Sequence, residues 1–279
     1  RDYKVTGVQS VLFRSGFGVG AVVKTLPAAT PFTVNGNLTI GAGTLADNGN
    51  TITGKGNVVN NAAHSGTGKI LLSGGTAAHA ISGGTAAYGN LELDDTLGTT
   101  VTGTGTTTIG NLTITSGTMT VNALSLGLTV SGATTVSGTL NLNNATGSRL
   151  LGNVTINNGA AVNVTVAPAS LTTANLIVNT GGTWNNSSNI AVSISGNLQN
   201  DGTFTSGNGT YSFTGTNRTI SGANPFSFVG MSINNGPYTM STPVNVSGTF
   251  TVSNTLNNNS TLTVTSTSTI TGSGTIVNA

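Results

Sequence analysis

The chain has no cysteine and very little charge. Lys, Arg, Asp and Glu together make up 5% of its 279 residues, against roughly a quarter in ordinary soluble proteins. Without thiols the chain cannot form disulfides, so its stability must come from backbone hydrogen bonds and apolar packing. Lysine and arginine do not cluster, which argues against binding to nucleic acid or to an anionic membrane.

The chain also has few aromatic residues and histidines, and it has no helical pattern and no long apolar run. Only 5% of the residues are aromatic, and there are one tryptophan and two histidines. No apolar run approaches the roughly 18 residues of a membrane span. No segment has the 3.6-residue periodicity of an amphipathic helix. The sequence therefore predicts neither a membrane span nor a helical domain.

Glycine is abundant, with 41 residues, and it separates short stretches in which Val, Ile or Leu alternates with Thr, Asn or Ser. Low charge with much glycine is also found in disordered chains. The alternation, however, is that of half-buried β-strands, as in GNLTI (36–40), GTLNL (138–142) and GNVTI (152–156). Threonine suits such strands because its β-branched side chain packs well on a pleated surface. The pattern predicts an ordered all-β protein.

A second recurring unit is an apolar residue, then Ser or Thr, then Gly. Many copies are followed at once by another short strand, so the glycine is predicted to form a corner between strands. The glycines of this unit are Gly54, Gly83, Gly103, Gly132, Gly138, Gly196, Gly222, Gly248 and Gly272. Asparagine pairs at 60–61, 143–144, 157–158, 185–186 and 234–235, and the triplet 257–259, predict further corners. Their amides are expected to stack in ladders.

The later corners, Gly196, Gly222, Gly248 and Gly272, recur about every 25 residues, within the range of solenoid repeats. These features predict a parallel β-helix, a solenoid of short strands with Gly and Asn corners, in about 11 to 13 coils. The competing fold is a row of β-sandwich modules. The shortness of the strands and the absence of a larger module boundary favour the β-helix.

The first fifteen residues, RDYKVTGVQSVLFRS, differ in composition from everything after them. One reverse translation of them resembles a short-read sequencing adapter, so residues 1–15 are interpreted as a non-native translated adapter without a fold. Residues 16–279 are then one solenoid. The segment contains Arg1, Lys4 and Arg14, three of the eight basic residues, and Asp2, one of the six acidic residues. Five basic and five acidic residues remain, so the net charge of +2 falls to 0.

Two stretches carry a resemblance to a known family: GNLTIGAGTLADNGNTITGKGN (36–57), and the segment that begins NDGTFTSGNGTYSFTGTNRTISG (200–222). They resemble the repeats of very large bacterial cell-surface and autotransporter-like adhesins, over nearly all of residues 32–279. The resemblance implies a β-helical fold and an exported protein on the bacterial cell surface or outside the cell. It also implies an internal fragment of a longer chain, with an export signal before it and an anchor after it.

The best candidate site is acidic. Alternation in GNLELDDT turns Leu91 and Leu93 inward and places Glu92 and Asp94 on the outer face, next to Asp95. Such carboxylates can hold a Ca²⁺ ion or act as the acid and base of a sugar-cleaving enzyme. A solvated strand end is the simpler interpretation, so Glu92, Asp94 and Asp95 are only a weak cation candidate, with no catalytic or cofactor-binding residue assigned.

The two histidines, His64 and His79, have no recognisable metal spacing and are expected at the surface or at corners. The aromatic residues concentrate between Trp184 and Phe250. Phe204, Phe213 and Phe250 occupy the apolar phase of their strands, which predicts stacking in the core rather than a sugar-binding platform.

The leading hypothesis is a structural or adhesive segment without catalysis, cofactor or metal. Its expected contacts are with cell surfaces, extracellular matrix or polysaccharide, and the isolated fragment is expected to associate end to end because neither end resembles a cap. One alternative is ice binding through outward Thr-x-Thr pairs at 51–53, 113–115, 118–120, 249–251 and 269–271. The other is a polysaccharide-active enzyme, which would need carboxylates from several coils to converge.

Overall fold

The computed structural model describes residues 11–13, 16–20, 22–124, 126–265 and 267–279. Within these residues all regular structure is β-strand, and every strand pairing is parallel. The strands stack as a β-solenoid of about 13 turns, which confirms the predicted fold class. Each turn passes through three strand segments, so the solenoid has three faces.

Face 1 is the first of these surfaces in chain order. Its strands are β1 (Val11–Phe13), β4 (Phe32–Val34), β7 (Thr51–Gly54), β10 (Lys69–Leu72), β17 (Ala133–Val136), β20 (Asn153–Ile156), β23 (Leu176–Val178), β26 (Leu198–Asn200), β29 (Arg218–Ser221), β32 (Tyr238–Met240), β35 (Thr255–Asn258) and β38 (Thr275–Asn278).

Face 2 consists of a ten-stranded and a three-stranded sheet. Its strands are β2 (Gly16–Val19), β5 (Asn37–Ile40), β8 (Val58–Asn60), β11 (His79–Ser82), β13 (Thr99–Gly103), β15 (Thr118–Leu124), β18 (Thr139–Asn143), β21 (Ala161–Val166), β24 (Thr183–Asn185), β27 (Thr203–Thr205), β30 (Phe226–Phe228), β33 (Val244–Val246) and β36 (Leu262–Val264).

Face 3 completes each turn, and two long strands, β12 (Ala86–Asp94) and β14 (Thr106–Ser116), run from it into face 1 and join the two faces in one 25-stranded sheet. The other strands of face 3 are β3 (Val23–Thr25), β6 (Thr44–Ala46), β9 (Ala63–Ser65), β16 (Gly127–Val130), β19 (Ser148–Leu150), β22 (Ser170–Thr173), β25 (Val192–Ile194), β28 (Thr210–Phe213), β31 (Gly230–Ile233), β34 (Thr249–Val252) and β37 (Thr269–Thr271).

The turns differ in length. Ile52 pairs with Ile70 in the next turn, whereas the corresponding step from Leu112 to its partner Thr134 takes a longer stretch of chain. The irregular spacing of the corner glycines in the sequence has this origin. At about 4.8 Å per turn the stack is about 60 Å long.

The core is a continuous apolar column inside the three faces. The alternating stretches place their apolar residues as predicted: Leu38, Ile40 and Val154 are completely buried, and the intervening residue Thr39 is not. Because each inward side chain lies above its register partner in the preceding turn, burial is shared along the whole stack.

Aromatic side chains fill the core of the later turns. Trp184 is completely buried, and its indole N–H donates to the hydroxyl of Tyr211 at 2.9 Å. Phe204 packs against Trp184 and lies edge-on to Phe226, with ring centroids 5.1 Å apart. Phe213 and Phe250 are also completely buried. The predicted core position is therefore confirmed for Phe213 and Phe250, whereas Phe204 is partly buried and packs against the core.

Asparagine amides form ladders between turns, and those of Asn90 and Asn153 lie outside the asparagine pairs predicted from the sequence. The backbone N–H and the side-chain Nδ2 of Asn111 both donate to Oδ1 of Asn90 in the preceding turn, at 3.1 and 2.9 Å. Asn175 makes the same pair of hydrogen bonds to Asn153, and the backbone N–H of Asn197 donates to Asn175. These bonds tie each turn to the next outside the strand ladders.

The interpreted boundary at residue 15 is not the boundary of the solenoid. Strand β1, within the segment expected to have no fold, pairs with β4 through Val11 and Phe32. Strand β2 begins at Gly16 and pairs with β5. Residues 1–10 and 14–15 lie outside the described residues, so the interpretation of that part stays a prediction.

Candidate functional site

The predicted acidic site is divided between two environments. Leu91 and Leu93 of β12 point into the core, while Glu92 is only partly buried and Asp94 is exposed, as the alternation predicts. The register with β14 shifts between Leu93 and Asp94. Asp95 follows in the corner after the strand and is 8% exposed. The third carboxylate is thus turned away from the other two.

Glu92 is engaged on face 1 by groups of the neighbouring turns. Its Oε2 forms an ion pair with Lys69 Nζ of β10, and its Oε1 accepts a hydrogen bond from Thr115 at 2.7 Å. Burial raises the pKa of Glu92, but the hydrogen bonds from Lys69 and Thr115 and the charge of Lys69 outweigh it, so the pKa is lowered. Asp94 accepts a hydrogen bond from Ser116 at 2.8 Å. Each carboxylate therefore has its own local partner.

Asp95 pairs with His79, a contact that sequence reasoning missed. Its Oδ2 lies 3.1 Å from Nε2 of His79 and accepts a hydrogen bond from the N–H of Gly75 at 2.8 Å. Its Oδ1 accepts from the N–H of Leu97 at 3.0 Å. Burial raises the pKa of Asp95, but these donors and His79 more than compensate, so the pKa is lowered. Asp95 is held as a carboxylate by its corner.

The second histidine forms a similar pair one turn away. Nε2 of His64 lies 2.9 Å from Oδ2 of Asp47, and both side chains are completely buried. Oδ1 of Asp47 accepts hydrogen bonds from the N–H groups of Gly49 and Gly68 at 2.8 and 3.0 Å.

The expectation that His64 and His79 are surface or corner residues is wrong. Each is 2% exposed, because each occupies an inward position of its strand. His79 takes the place above Gly56 in the face 2 column, and His64 lies above Leu45 in face 3. The alternation AHS at 63–65 was the available signal, since it puts His64 in the phase that apolar residues occupy elsewhere.

A shallow depression of about 280 Å³ lies on the surface outside His79. The segment 76–78 and the polar residues Asn37, Lys55 and Asn57 line it. The ring of His79 forms part of its lining but is directed to Gly56 O and Asp95 by its two nitrogens. A ligand in the depression would therefore meet lysine and asparagine groups rather than a free imidazole nitrogen.

Arg149 is the one described arginine whose side chain enters the core. It stands between Leu128 and Leu171 in face 3 and is 1% exposed. Its guanidinium donates to the carbonyl oxygens of Ser148 and Thr146, each at 3.0 Å. Burial lowers the pKa of Arg149. These carbonyl contacts are structural ones, since they close the corner that precedes β19.

Among the described residues, no group of three or more His, Cys, Asp or Glu is placed to hold a metal ion. The part of the chain that the structure describes also has no helix long and apolar enough to cross a membrane. Glu92 meets Lys69, Asp95 meets His79 and Asp47 meets His64, but these are three separate pairs. These pairs thus lie at separate places along the solenoid and do not form one cluster.

The five predicted Thr-x-Thr pairs lie on three different faces. Those at 51–53 and 113–115 are on face 1, the one at 118–120 is on face 2, and those at 249–251 and 269–271 are neighbours on face 3. Two full turns, with β10 and β12 on face 1, separate the first pair from the second. The five pairs together do not form a single rank.

Face 2 has a more regular array than the sequence suggested. Over five consecutive turns, two columns of short, mostly polar side chains face outward in register. The columns are Thr118, Thr139, Ala161, Thr183 and Thr203, and Thr120, Asn141, Asn163, Asn185 and Thr205. Neighbouring positions are about 4.8 Å apart along a column and about 6.6 Å apart between columns. The array carries no charged residue.

Comparison with protein-family models, with curated proteins and with solved structures found no match. The class of protein that the fold defines is a three-faced parallel β-solenoid.

Proposed function

We propose that the chain is a structural and adhesive segment of an extracellular bacterial surface protein, without catalytic activity. The observation that carries the proposal is the uninterrupted stack of about 13 turns around one apolar core. Such a stack gives a rod about 60 Å long whose length scales with the number of turns. A rod of this kind suits the task of holding a contact surface away from a cell.

The outer surface supports contact through many weak interactions. Its outward rows are mainly threonine, asparagine and serine, whose hydroxyl and amide groups both donate and accept hydrogen bonds. These groups are repeated at each turn, so a polysaccharide with regularly spaced hydroxyls can meet several of them at once. Individual contacts of this sort are weak, and binding then depends on how many act together.

The first test is retention on a polysaccharide as a function of copy number. The polypeptide is attached to beads at increasing density, and the beads are passed over immobilised neutral polysaccharide. We expect single copies to bind weakly and densely coated beads to be retained about a hundredfold more strongly, because avidity multiplies weak contacts. Beads coated with the same density of serum albumin provide the control.

Two results would contradict the proposal. One is the absence of retention at every density on polysaccharide, matrix and cell-surface supports. The other is release of reducing ends from the polysaccharide, which would indicate the enzymatic alternative. That alternative would require carboxylates of several turns to converge, whereas Glu92 and Asp95 each contact a different partner.

Ice binding is a second candidate, which the array on face 2 favours. Its rows of threonine and asparagine are uncharged and evenly spaced in two directions, so they can hold ordered water over an area of five turns. Threonine contributes stiffness because its side chain has few rotamers.

The measurement for this candidate is thermal hysteresis of the polypeptide and of two lysine variants. Ala161→Lys places a long charged side chain in the middle of the array, whereas Thr155→Lys places one on face 1. If face 2 binds ice, we expect hysteresis that Ala161→Lys abolishes and Thr155→Lys preserves. Neither ice shaping nor hysteresis in the unmodified polypeptide would remove the candidate.

A further inference from the structure

The two buried histidines have opposite hydrogen-bonding environments. Both nitrogens of His79 face acceptors: Nδ1 lies 2.8 Å from the carbonyl oxygen of Gly56, and Nε2 lies 3.1 Å from Asp95. A carbonyl oxygen and a carboxylate both accept, so a ring with a proton on each nitrogen satisfies this site. Both nitrogens of His79 are therefore placed to donate.

In contrast to His79, His64 has one ring nitrogen next to a donor and the other next to an acceptor. Its Nε2 faces the carboxylate of Asp47, but its Nδ1 accepts a hydrogen bond from the backbone N–H of Gly89 at 3.2 Å. An N–H can only donate, so Nδ1 must keep its lone pair and the proton of the neutral ring belongs on Nε2. The ring fits as the neutral tautomer alone.

A second proton on His64 would have to go to Nδ1. It would break the hydrogen bond from Gly89 and set two N–H groups against each other across 3.2 Å. Gly89 lies in the middle of β12, which joins face 3 to face 1. The charged ring would therefore displace a strand that connects two faces of the solenoid.

The surroundings of His64 contain few groups that could offset this effect. Asp47 is the carboxylate in contact with the ring. Tyr88 occupies the next position of the inward column, above His64, and is buried. Lys24 is in the face 3 column on the other side of Leu45. Asp47 attracts the charged ring, but two backbone N–H groups already occupy its Oδ1.

We propose that His64 makes the turns spanning residues 44–94 an acid-sensitive segment, which opens when the ring takes up a second proton. The opening separates β9 from β12 and exposes strand edges there, while the later turns keep their structure. This is a conformational switch built into one part of the rod, and it goes beyond the structural and adhesive function.

The direction of the pH dependence follows from burial. Burial lowers the pKa of His64 below its ordinary value of 6.5, and the attraction of Asp47 only partly offsets this effect. Below pH 6.5 the unfolded chain thus binds more protons than the folded one. The stability that depends on the neutral His64 ring is fully present above pH 6.5, and it is lost as the pH falls through and below that value. The loss in the folding equilibrium is up to about tenfold per pH unit.

The effect is expected to be local because solenoid turns contact only their neighbours and open in segments. Both histidines of the chain belong to its first third. In the later turns, hydrogen bonds from Gln199 and Ala223 hold the pKa of Asp201 below its ordinary value of 3.8. That carboxylate therefore loses its contribution only in much stronger acid.

Hydrogen exchange measured by mass spectrometry tests the proposal at about pH 7.5 and about pH 5, after correction for intrinsic exchange rates. In the unmodified chain we expect peptides from 44–94 to lose about tenfold or more of their protection at the lower pH. Peptides from 192–256 should keep theirs. His64→Gln, whose amide can still donate to Asp47 but does not titrate, should abolish the acid response.

His79→Gln is the matched control, since it removes the other buried ring, and its segment 44–94 should still respond to acid. Full protection of 44–94 at about pH 5 in the unmodified chain would overturn the proposal, as would an undiminished response in His64→Gln. An NMR titration of the His64 ring in the unmodified chain provides a test that needs no variant. Titration at or above its ordinary value of 6.5 would equally overturn the proposal.

Discussion

Replacing Gly152 by alanine is expected to destabilise the solenoid by about 3 kcal/mol or more. Gly152 has φ of 60°, where an L-residue costs about 1 to 2 kcal/mol. In addition, a Cβ on Gly152 would lie 2.0 Å from the carbonyl oxygen of Gly132, in the preceding turn. Because the obstacle is backbone, the two turns would have to move apart, which adds the cost of overpacking.

Gly159→Ala is the matched control for this effect. Gly159 also has a left-handed backbone, with φ of 74°, but no heavy atom beyond its two chain neighbours lies within 4 Å of the position of its Cβ. It should cost only the conformational term of about 1 to 2 kcal/mol. Equal destabilisation by the two variants would show that the approach of neighbouring turns is not what requires glycine at 152.

Urea unfolding followed by Trp184 fluorescence measures both variants. Trp184 is the only tryptophan, and its strand β24 pairs with β21 close to both glycines in the stack. A repeat protein can unfold in more than one step, so the midpoints are compared only where the slopes agree.

The second large effect is expected on the self-association of the polypeptide. We expect the 279-residue polypeptide to associate end to end through its last turn, formed by β36, β37 and β38. Ile270 stands in the inward phase above the completely buried Phe250 but is 58% exposed, because no further turn covers it in the structure. The free edges of these strands present unpaired backbone groups, which is the usual template for pairing with another chain.

Ile270→Lys tests this expectation, since a charge at the edge opposes both apolar contact and strand pairing. Sedimentation and light scattering over rising concentration should show growing assemblies for the unmodified chain and a shift of about tenfold or more in concentration for the variant. Leu97→Lys is the control, because Leu97 is 50% exposed at a corner far from this end. A chain that stays monomeric at high concentration, or a Leu97→Lys variant with the same effect as Ile270→Lys, would contradict the expectation.

Much of the fold could be predicted because successive side chains of a β-strand point to opposite faces of the sheet, so the buried face can be read from alternate residues. The phase of GNLTI placed Leu38 and Ile40 inside, and the same reasoning correctly placed Leu91 and Leu93. Asparagine ladders were predicted in kind but not in place: those of Asn90 with Asn111 and of Asn153 with Asn175 lie outside the predicted asparagine pairs. The expectation for His64 and His79 was wrong because each lies at an inward position of its strand.

The contacts between turns could not be predicted in the same way. Asp47 meets His64, Asp95 meets His79 and Lys69 meets Glu92, and the two partners are separated by a different stretch of sequence in each pair. The separations differ because each pair joins different points of turns that are themselves unequal in length. If the length of one corner is predicted wrongly by one residue, the predicted partners of all residues in the following turns are wrong as well.

The sequence by itself determined the class of fold, the inward and outward sides of most strands and several of the glycine corners. These depend on local properties: the period of two, the β-branched residues and the backbone freedom of glycine. Only the tertiary structure decided which residues of different turns meet, and with them the three faces, the array on face 2 and the two buried His–Asp pairs. The physical reason is that the register between turns depends on the number of residues in every preceding corner. No single stretch of sequence gives all of these lengths.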